Sequence, residues 1–173
     1  MIISDQRIDT KRYSVIPRTL AFILCGEDVL LIRYSDAKEK WAGKLNGLGG
    51  HIEKGEDPLR AIRRELREEA QLNVPDLALC GTVLIDTGSS PGVSLYIFLG
   101  HLPCRIPPFS SPEGELTWIA LRELESAPIL EDIRILLPEA ISSASRKSCF
   151  SAHYSIHSTE DIHISISTSP SLE

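Results

Sequence analysis

Three glutamates in the middle of the chain constrain its fold more strongly than any other feature. Glu65, Glu68 and Glu69 occupy positions i, i+3 and i+4, so a helix projects them from one face, within about 100° of one another. Each pair of like charges about 4 Å apart costs on the order of 4 kcal/mol at an effective dielectric constant of 20. The spacing therefore predicts a helix that binds a cation, and an all-oxygen set of ligands favours Mg2+ or Mn2+ over zinc.

Signals for both ends of this helix flank the glutamates. Asp57 is a good N-cap residue, and Pro58 suits the first helical position. The helix is predicted to end near residues 71–73, ahead of Pro75. Its apolar residues recur at helical spacing and form a separate stripe, which is expected to face a core: Leu59, Ile62, Leu66 and Ala70.

Strands are predicted on both sides of this helix. The segments rich in β-branched and aromatic residues are 14–25, 29–34, 48–52, 77–86, 93–101 and 116–120. Residues 26–28 predict a hairpin turn, residues 103–112 a proline-rich loop, and residues 131–142 a second helix. A chain of 173 residues is long enough for one domain with a substantial core. The predicted class is α/β (α+β).

The last thirty residues differ in character from the rest. Residues 142–147 are predicted to be a linker, which divides the chain into a domain of residues 1–142 and an extension of residues 143–173. Apolar and polar residues alternate on either side of a predicted turn at 157–161, which is typical of a β-hairpin with one apolar face. An isolated hairpin is marginally stable, so we expect this one to pack on the same domain or to pair across a homodimer.

Composition excludes several classes of function. A net charge of -6 argues against a surface that coats a nucleic-acid polymer. The longest apolar run, residues 20–25, is far too short to span a membrane, and the N-terminus has no apolar segment typical of a signal peptide. The four cysteines form no CxxC pair, so free thiols in a reducing cytoplasm are expected.

The glutamates belong to a longer pattern that resembles the Nudix box. The pattern is G-x5-E-x7-R-E-L-x-E-E, and the matching residues are Gly50, Glu56, Arg64, Glu65, Leu66, Glu68, Glu69 and the apolar Leu72. The resemblance implies an αβα sandwich around a mixed β-sheet, with the C-terminal hairpin as an addition. It also implies an enzyme that hydrolyses nucleoside diphosphates linked to another moiety and uses Mg2+ or Mn2+. A solvated charged helix face is the alternative, but it does not account for Gly49–Gly50, Glu56 and the Arg64–Glu65 step together.

The resemblance implies a role for each box residue. Glu65, Glu68 and Glu69 correspond to the metal ligands, and the carbonyl of Gly49 corresponds to a further ligand. Arg64 and Glu56 are counted with the catalytic residues, and they are expected to pair and orient the start of the helix. Glu113 is the candidate for an additional carboxylate from a later loop, with Glu115 in reserve, although Glu113 is equally compatible with an exposed loop acid. Whether Glu68, Glu69 or the metal ion activates water is left open.

One box position departs from the family pattern. The box glycine, which normally takes a left-handed turn after the helix, is replaced by Gln71. A residue other than glycine in that conformation costs roughly 1 kcal/mol. We therefore expect Asn73 to take the turn two residues later. No metal ligand is lost, so activity is expected to survive.

Residues outside the box bear on the substrate. Arg33, Lys44 or Lys54 are the candidates for binding the remaining phosphates, and Arg33 is preferred because it ends the second strand. Residues 41–50 resemble the same region of MutT-type enzymes, which act on oxidised purine nucleoside triphosphates. The resemblance implies that three further residues read the purine edge: Asn46, Glu131 and Asp132. A turn role for Asn46 and helix N-terminal charge for the acids are equally compatible.

The predicted reaction follows from these two resemblances. It is the Mg2+-dependent cleavage of a purine nucleoside triphosphate, such as 8-oxo-dGTP, to the monophosphate and pyrophosphate. One alternative is hydrolysis of another linked diphosphate, such as ADP-ribose or a dinucleoside polyphosphate. A different class of alternative is a nucleotide-sensing Nudix domain without turnover, against which the complete set of glutamates argues.

Overall fold

The computed structural model describes residues 12–107, 110–111, 113–156 and 162–168. Within them, two α-helices are α1 (Pro58–Ala70) and α2 (Ile133–Ser145), and short 3-10 segments cover Asp36–Trp41 and Leu121–Glu123. The strands are β1 (Val15–Cys25), β2 (Asp28–Tyr34), β3 (Leu45–Asn46), β4 (Ala78–Asp86), β5 (Gly92–His101), β6 (Ser110–Ser111), β7 (Gly114–Ala120), β8 (Phe150–Ile156) and β9 (Ile162–Thr168).

All of these strands belong to one mixed sheet. Its order is β6-β7-β2-β1-β5-β4-β8-β9, with β3 paired to β2. β1 runs antiparallel to β2 and parallel to β5. Residues 20–24 of β1 are buried on both faces, because this strand is central and each face of the sheet is covered.

The two helices lie on opposite faces of this sheet. Successive residues of a strand point to opposite faces, so Ile23 packs in the cluster of α1 residues, whereas Phe22 packs in the cluster of α2 residues. Ile62 and Leu66 fill the α1 face, and Leu137 is among the α2 residues that fill the other face. The predicted αβα sandwich around a mixed sheet is therefore confirmed.

Residues 45–51 enter the sheet between β1 and β2. β1 and β2 pair directly only near their hairpin turn, from Ile23 opposite Leu30 to Cys25 opposite Asp28. Farther along, β3 pairs with β2, and β1 bonds to the segment after β3 instead: Thr19 N to Gly50 O at 2.8 Å and Ala21 N to Leu48 O at 2.7 Å. The predicted strand at 48–52 is thus reduced to isolated bridges at Leu48 and His51.

Helix α1 begins as predicted and ends differently. The Asp57 carboxylate accepts the N–H of Arg60 at 2.9 Å, which caps the first turn. Gln71 itself adopts the left-handed conformation, with φ 54° and ψ 29°, and its N–H donates to the carbonyl of Arg67. The expectation that Asn73 would take this turn is wrong, because Gln71 keeps the geometry of the glycine that it replaces.

Both ends of helix α2 differ from the predicted helix at residues 131–142. It begins at Ile133 and continues to Ser145, so most of the predicted linker at 142–147 is helical. Ser143 is fully buried and donates to Glu139 at 3.2 Å, and Ser145 donates to the carbonyl of Ile141 at 2.9 Å. These bonds one turn back satisfy the serine hydroxyls inside the helix, which explains why serines did not end it.

The C-terminal hairpin extends the sheet of the same domain. β8 pairs parallel with β4, and β9 pairs antiparallel with β8. Phe150 is 2% exposed, and its ring occupies the space that the missing side chain of Gly81 leaves open. The predicted turn at 157–161 lies outside the described residues. The four cysteines are all free thiols.

Candidate active site

Two of the box glutamates converge on the Gly49–Gly50 turn. Glu69 is 5% exposed, and its carboxylate accepts the N–H of Gly49 at 2.8 Å. The carboxylate of Glu65 lies against Gly50, where an added methyl group would be 2.4 Å from Oε1. Gly49 has φ +145°, and a side chain there would be 2.3 Å from the carbonyl oxygen of Thr19, so only glycine fits.

Arg64 organises the entrance to the helix. Its Nε and Nη2 each donate to one oxygen of Glu56 at 2.9 Å, which is the predicted pair in bidentate form. Nη1 donates to Glu65 at 2.8 Å and to Glu68 at 3.1 Å, and Nη2 also donates to the carbonyl of His51 at 3.0 Å. The hydrogen bonds from Arg64 lower the pKa of Glu56, and those carboxylates raise the pKa of Arg64.

Glu68 stands apart from the other two glutamates. Its side chain is 58% exposed and lies against Arg64 rather than against the glycine turn. Among the described residues, no three His, Cys, Asp or Glu side chains are arranged as a metal site. Carboxylates beside a glycine turn with main-chain carbonyls nevertheless provide the hard oxygen donors that Mg2+ and Mn2+ prefer, so the residues present fit such an ion.

An amide and two aromatic rings adjoin this site on the α1 face. Asn46 lies opposite Ile32, and its Nδ2 donates to the Tyr34 hydroxyl at 2.8 Å while its Oδ1 accepts the Gly47 N–H at 2.8 Å. The Tyr34 ring stacks on Trp41, with centroids 6.2 Å apart and planes at 30°. Burial raises the pKa of Tyr34, and the nearby negative charges of Glu69 and Glu113 raise it further. The hydrogen bond from Asn46 acts in the opposite direction and lowers it.

No role in the site was predicted for Tyr34 from the sequence. Its position could have indicated a role. Tyr34 is the last residue of β2, and its side chain points to the same face as Leu30 and Ile32, which is the face that the glutamate helix covers. The charge of Glu113 reaches Tyr34, and the Glu113 carbonyl accepts the N–H of Ser35 at 3.1 Å. In β7 the side chains of Glu115 and Leu116 point to opposite faces of the sheet. Leu116 packs on the α1 face, so Glu115 points to the α2 face, and Glu113 is the better placed of the two candidates.

No described hydrogen bond or ion pair joins the predicted phosphate-binding cations to the glycine turn. Arg33 alternates with Ile32 and Tyr34, so it leaves β2 on the α2 face, and its Nη1 donates to the carbonyl of Gly43 at 3.1 Å. Lys44 and Lys54 are exposed, and neither forms an ion pair with another described residue.

The predicted purine-reading residues lie on neighbouring stretches of backbone, because the N–H of Leu130 donates to the carbonyl of Leu45 at 3.0 Å, but no described hydrogen bond joins their side chains. Glu131 is exposed and accepts from Arg134 Nε at 3.2 Å. Asp132 precedes α2, where burial raises its pKa. Burial also raises the pKa of Tyr154 on the α2 face, and the charge of Asp132 raises it further. Asn46 extends from the opposite face, so none of the described contacts joins it to either acid.

Comparisons with known proteins agree with this fold. The NUDIX domain model matches residues 16–140. A MutT protein from Bacillus halodurans has 21% identity and a TM-score of 0.72, with 88% of this chain and 97% of that one covered. A MutT NUDIX hydrolase from Burkholderia pseudomallei has 27% identity and a TM-score of 0.61, with 73% and 98% covered. The NUDIX domain of Shewanella oneidensis NrtR, solved with ADP ribose, has 16% identity and a TM-score of 0.66, with 83% and 99% covered.

The fold and the glutamate helix define a hydrolase of pyrophosphate bonds. The chain belongs to the Nudix family, and it is similar to the MutT proteins within that family. Nudix hydrolases generally use divalent metal cations and bind small nucleotide substrates. No helix in the described part of the chain is long and apolar enough to cross a membrane.

Proposed function

We propose that the chain is a Mg2+- or Mn2+-dependent pyrophosphohydrolase of a purine nucleoside triphosphate. The proposed substrate is an oxidised purine such as 8-oxo-dGTP, and the products are the monophosphate and pyrophosphate. One observation supports this most strongly. The Glu65 and Glu69 carboxylates lie at the Gly49–Gly50 turn on the α1 face. The hydrogen-bonded pair of Tyr34 and Asn46 lies on the same face, close enough for the charge of Glu69 to raise the pKa of Tyr34.

The metal ion would be held by the carboxylates and the main chain of this turn. We assign Glu65, Glu69 and the Gly49 carbonyl as ligands, with Glu113 completing the set. The ion, when bound, neutralises the phosphates and polarises the phosphorus under attack. The Gly49 N–H fixes the orientation of the Glu69 carboxylate, and Arg64 does the same for Glu65.

The proton of the attacking water needs an acceptor that solvent can reach. Glu69 is 5% exposed and is already bonded to Gly49, whereas the Glu68 side chain is 58% exposed. We therefore propose Glu68 as the general base. Its present bond to Arg64, 3.1 Å long, would be exchanged for the water.

A substrate screen tests this proposal. Purified protein is incubated with Mg2+ or Mn2+ and with 8-oxo-dGTP, dGTP, dATP, ADP-ribose or a dinucleoside polyphosphate, and the products are separated by chromatography. We expect 8-oxo-dGTP to give monophosphate and pyrophosphate, and Glu69→Gln to abolish the reaction. Glu139→Gln is the matched control, because Glu139 is a partly buried, ion-paired glutamate on α2, away from the site. Absence of turnover on every diphosphate would refute the enzymatic proposal.

ADP-ribose is the second candidate substrate. It is supported by the fold shared with the NrtR domain solved with that ligand. A higher kcat/KM for ADP-ribose than for any triphosphate would replace the first proposal with this one. If the screen shows no turnover and the same nucleotides still bind in a separate titration, the chain would instead be a sensor.

A further inference from the structure

The side of helix α1 that faces away from the box glutamates carries four arginines. They recur at spacings of three and four residues, which places them on one side of the helix: Arg60, Arg63, Arg64 and Arg67. Arg67 is two positions from both Glu65 and Glu69, so its side chain starts about 160° around the helix from either carboxylate. The arginine side of α1 is therefore separated from the Gly49–Gly50 turn by the helix itself.

A cavity of about 400 Å3 opens along this side of α1. The described residues that line it are Gly55, Glu56, Arg60, Arg63, Arg64 and Arg67. None of these lining residues is aromatic or aliphatic, whereas pockets for organic ligands are lined mainly by apolar side chains. The lining therefore suits a small anion with several charged oxygens better than a nucleobase or a sugar.

Arg64 has no donor left for a ligand. A guanidinium group has five N–H hydrogens, and Arg64 uses two on Glu56, one on Glu65, one on Glu68 and one on the carbonyl of His51. Glu56 is neutralised by the same pair. These two side chains form a wall of the cavity, and any direct contact with an anion falls to the other arginines.

The other three arginines keep donors that face solvent. Arg63 donates one Nη2 hydrogen to the carbonyl of Pro75 at 3.3 Å. Arg60 pairs with Asp57 at 3.4 Å, but the two side chains are 76% and 58% exposed, and such a pair is weak. Arg67 is exposed and forms no ion pair with another residue that the structure describes. Three guanidinium charges beside one exposed carboxylate leave this part of the cavity positive, in a chain of net charge -6.

We propose that Arg60, Arg63 and Arg67 form an anion site on the outer side of α1 that binds inorganic pyrophosphate without a metal ion. Guanidinium groups bind phosphate oxygens in pairs of parallel hydrogen bonds. Pyrophosphate has two linked phosphoryl groups, so it engages more than one guanidinium at a time. Its lack of a base and a sugar matches the polar lining of the cavity.

Isothermal titration calorimetry with inorganic pyrophosphate tests this proposal. The protein is kept in excess EDTA, so no divalent ion bridges the ligand to the box glutamates. We expect one equivalent of pyrophosphate to bind, and Arg67→Gln to raise its Kd about threefold to tenfold, because one charged pair of hydrogen bonds is lost at a partly exposed site. Arg122→Gln is the matched control: it removes the same charge from an arginine that is 74% exposed and does not line the cavity.

Two further titrations define the ligand and the site. Arg60→Gln should raise the Kd in the same direction as Arg67→Gln, and ADP should bind no more tightly than pyrophosphate, because the cavity offers nothing for the adenosine. No binding at about 1 mM pyrophosphate would overturn the proposal. So would an unchanged Kd in Arg67→Gln, an equal rise in Arg122→Gln, or tighter binding of ADP. The measurement needs neither metal nor turnover, so its outcome does not depend on the proposed function.

Discussion

The substitution Gly50→Ala tests the assignment of Glu65 most directly. The added methyl group would lie 2.4 Å from Glu65 Oε1 and 2.6 Å from its carboxylate carbon. Gly50 is not among the glycines with positive φ, so the backbone itself accepts alanine. The nearest atoms are the end of a flexible side chain, so the carboxylate moves while the fold remains.

The size of the effect follows from this distance. An ordinary contact begins at 3.4 Å, so the Glu65 carboxylate must move by about 1 Å from its position beside Arg64 Nη1. A misplacement of 1 Å in a catalytic site costs on the order of 10²-fold in rate. That factor corresponds to about 2.7 kcal/mol in the activation free energy.

The assay combines kinetics with unfolding. We expect kcat of Gly50→Ala to fall about 100-fold on the best substrate of the screen, with the free energy of unfolding within about 1 kcal/mol of wild type. Gly26→Ala is the control, because Gly26 has φ +59° in the β1–β2 turn with nothing near its Cβ position. That variant should lose about 1 kcal/mol of stability and keep its activity. Full activity in Gly50→Ala would refute the placement of Glu65 in the site.

Three further substitutions probe the fold. Gln71→Gly should raise the melting temperature by about 2–4 °C, since it relieves roughly 1 kcal/mol of left-handed strain, and a lower melting temperature would contradict this account. Phe150→Ala should lower the free energy of unfolding in urea by about 3–5 kcal/mol, whereas a loss below about 1 kcal/mol would show that the hairpin is not part of the core. Burial raises the pKa of Asp132, so its ionisation destabilises the fold as the pH rises through the folded pKa. Asp132→Asn should therefore be more stable than wild type at pH 7 and equal to it below about pH 4, and the same difference at both pH values would contradict the role of burial.

The parts of the site that depend on local spacing were predictable from the sequence. Asp57, Glu65 and Glu69 lie on one helix with a recognisable start, so their mutual placement needs no long-range information. The Glu56–Arg64 pair joins that helix to the loop just before it, and the motif places both residues.

The parts that depend on strand register were not predictable in the same way. The side chain of Tyr34 meets Asn46 because β3 pairs with β2 in one register, and a shift by one residue would turn each side chain to the other face. The same alternation places Arg33 on the face opposite the glutamates, although its position in the sequence suggested otherwise. Asp132 was placed in the site by its position in the sequence, and the structure brings the backbone just before it to β3, where the N–H of Leu130 donates to the carbonyl of Leu45 at 3.0 Å.

The insertion of the glycine turn between β1 and β2 links catalysis to the integrity of the whole molecule. Gly50 is held by Thr19, which is 31 residues away along the chain, and that contact exists only after the central strands have assembled. We therefore expect partially folded chains to be inactive even where α1 has formed. Turnover then reports cooperative folding. The unfolding curve in urea that is measured from product release should superimpose on the curve that is measured from tryptophan fluorescence.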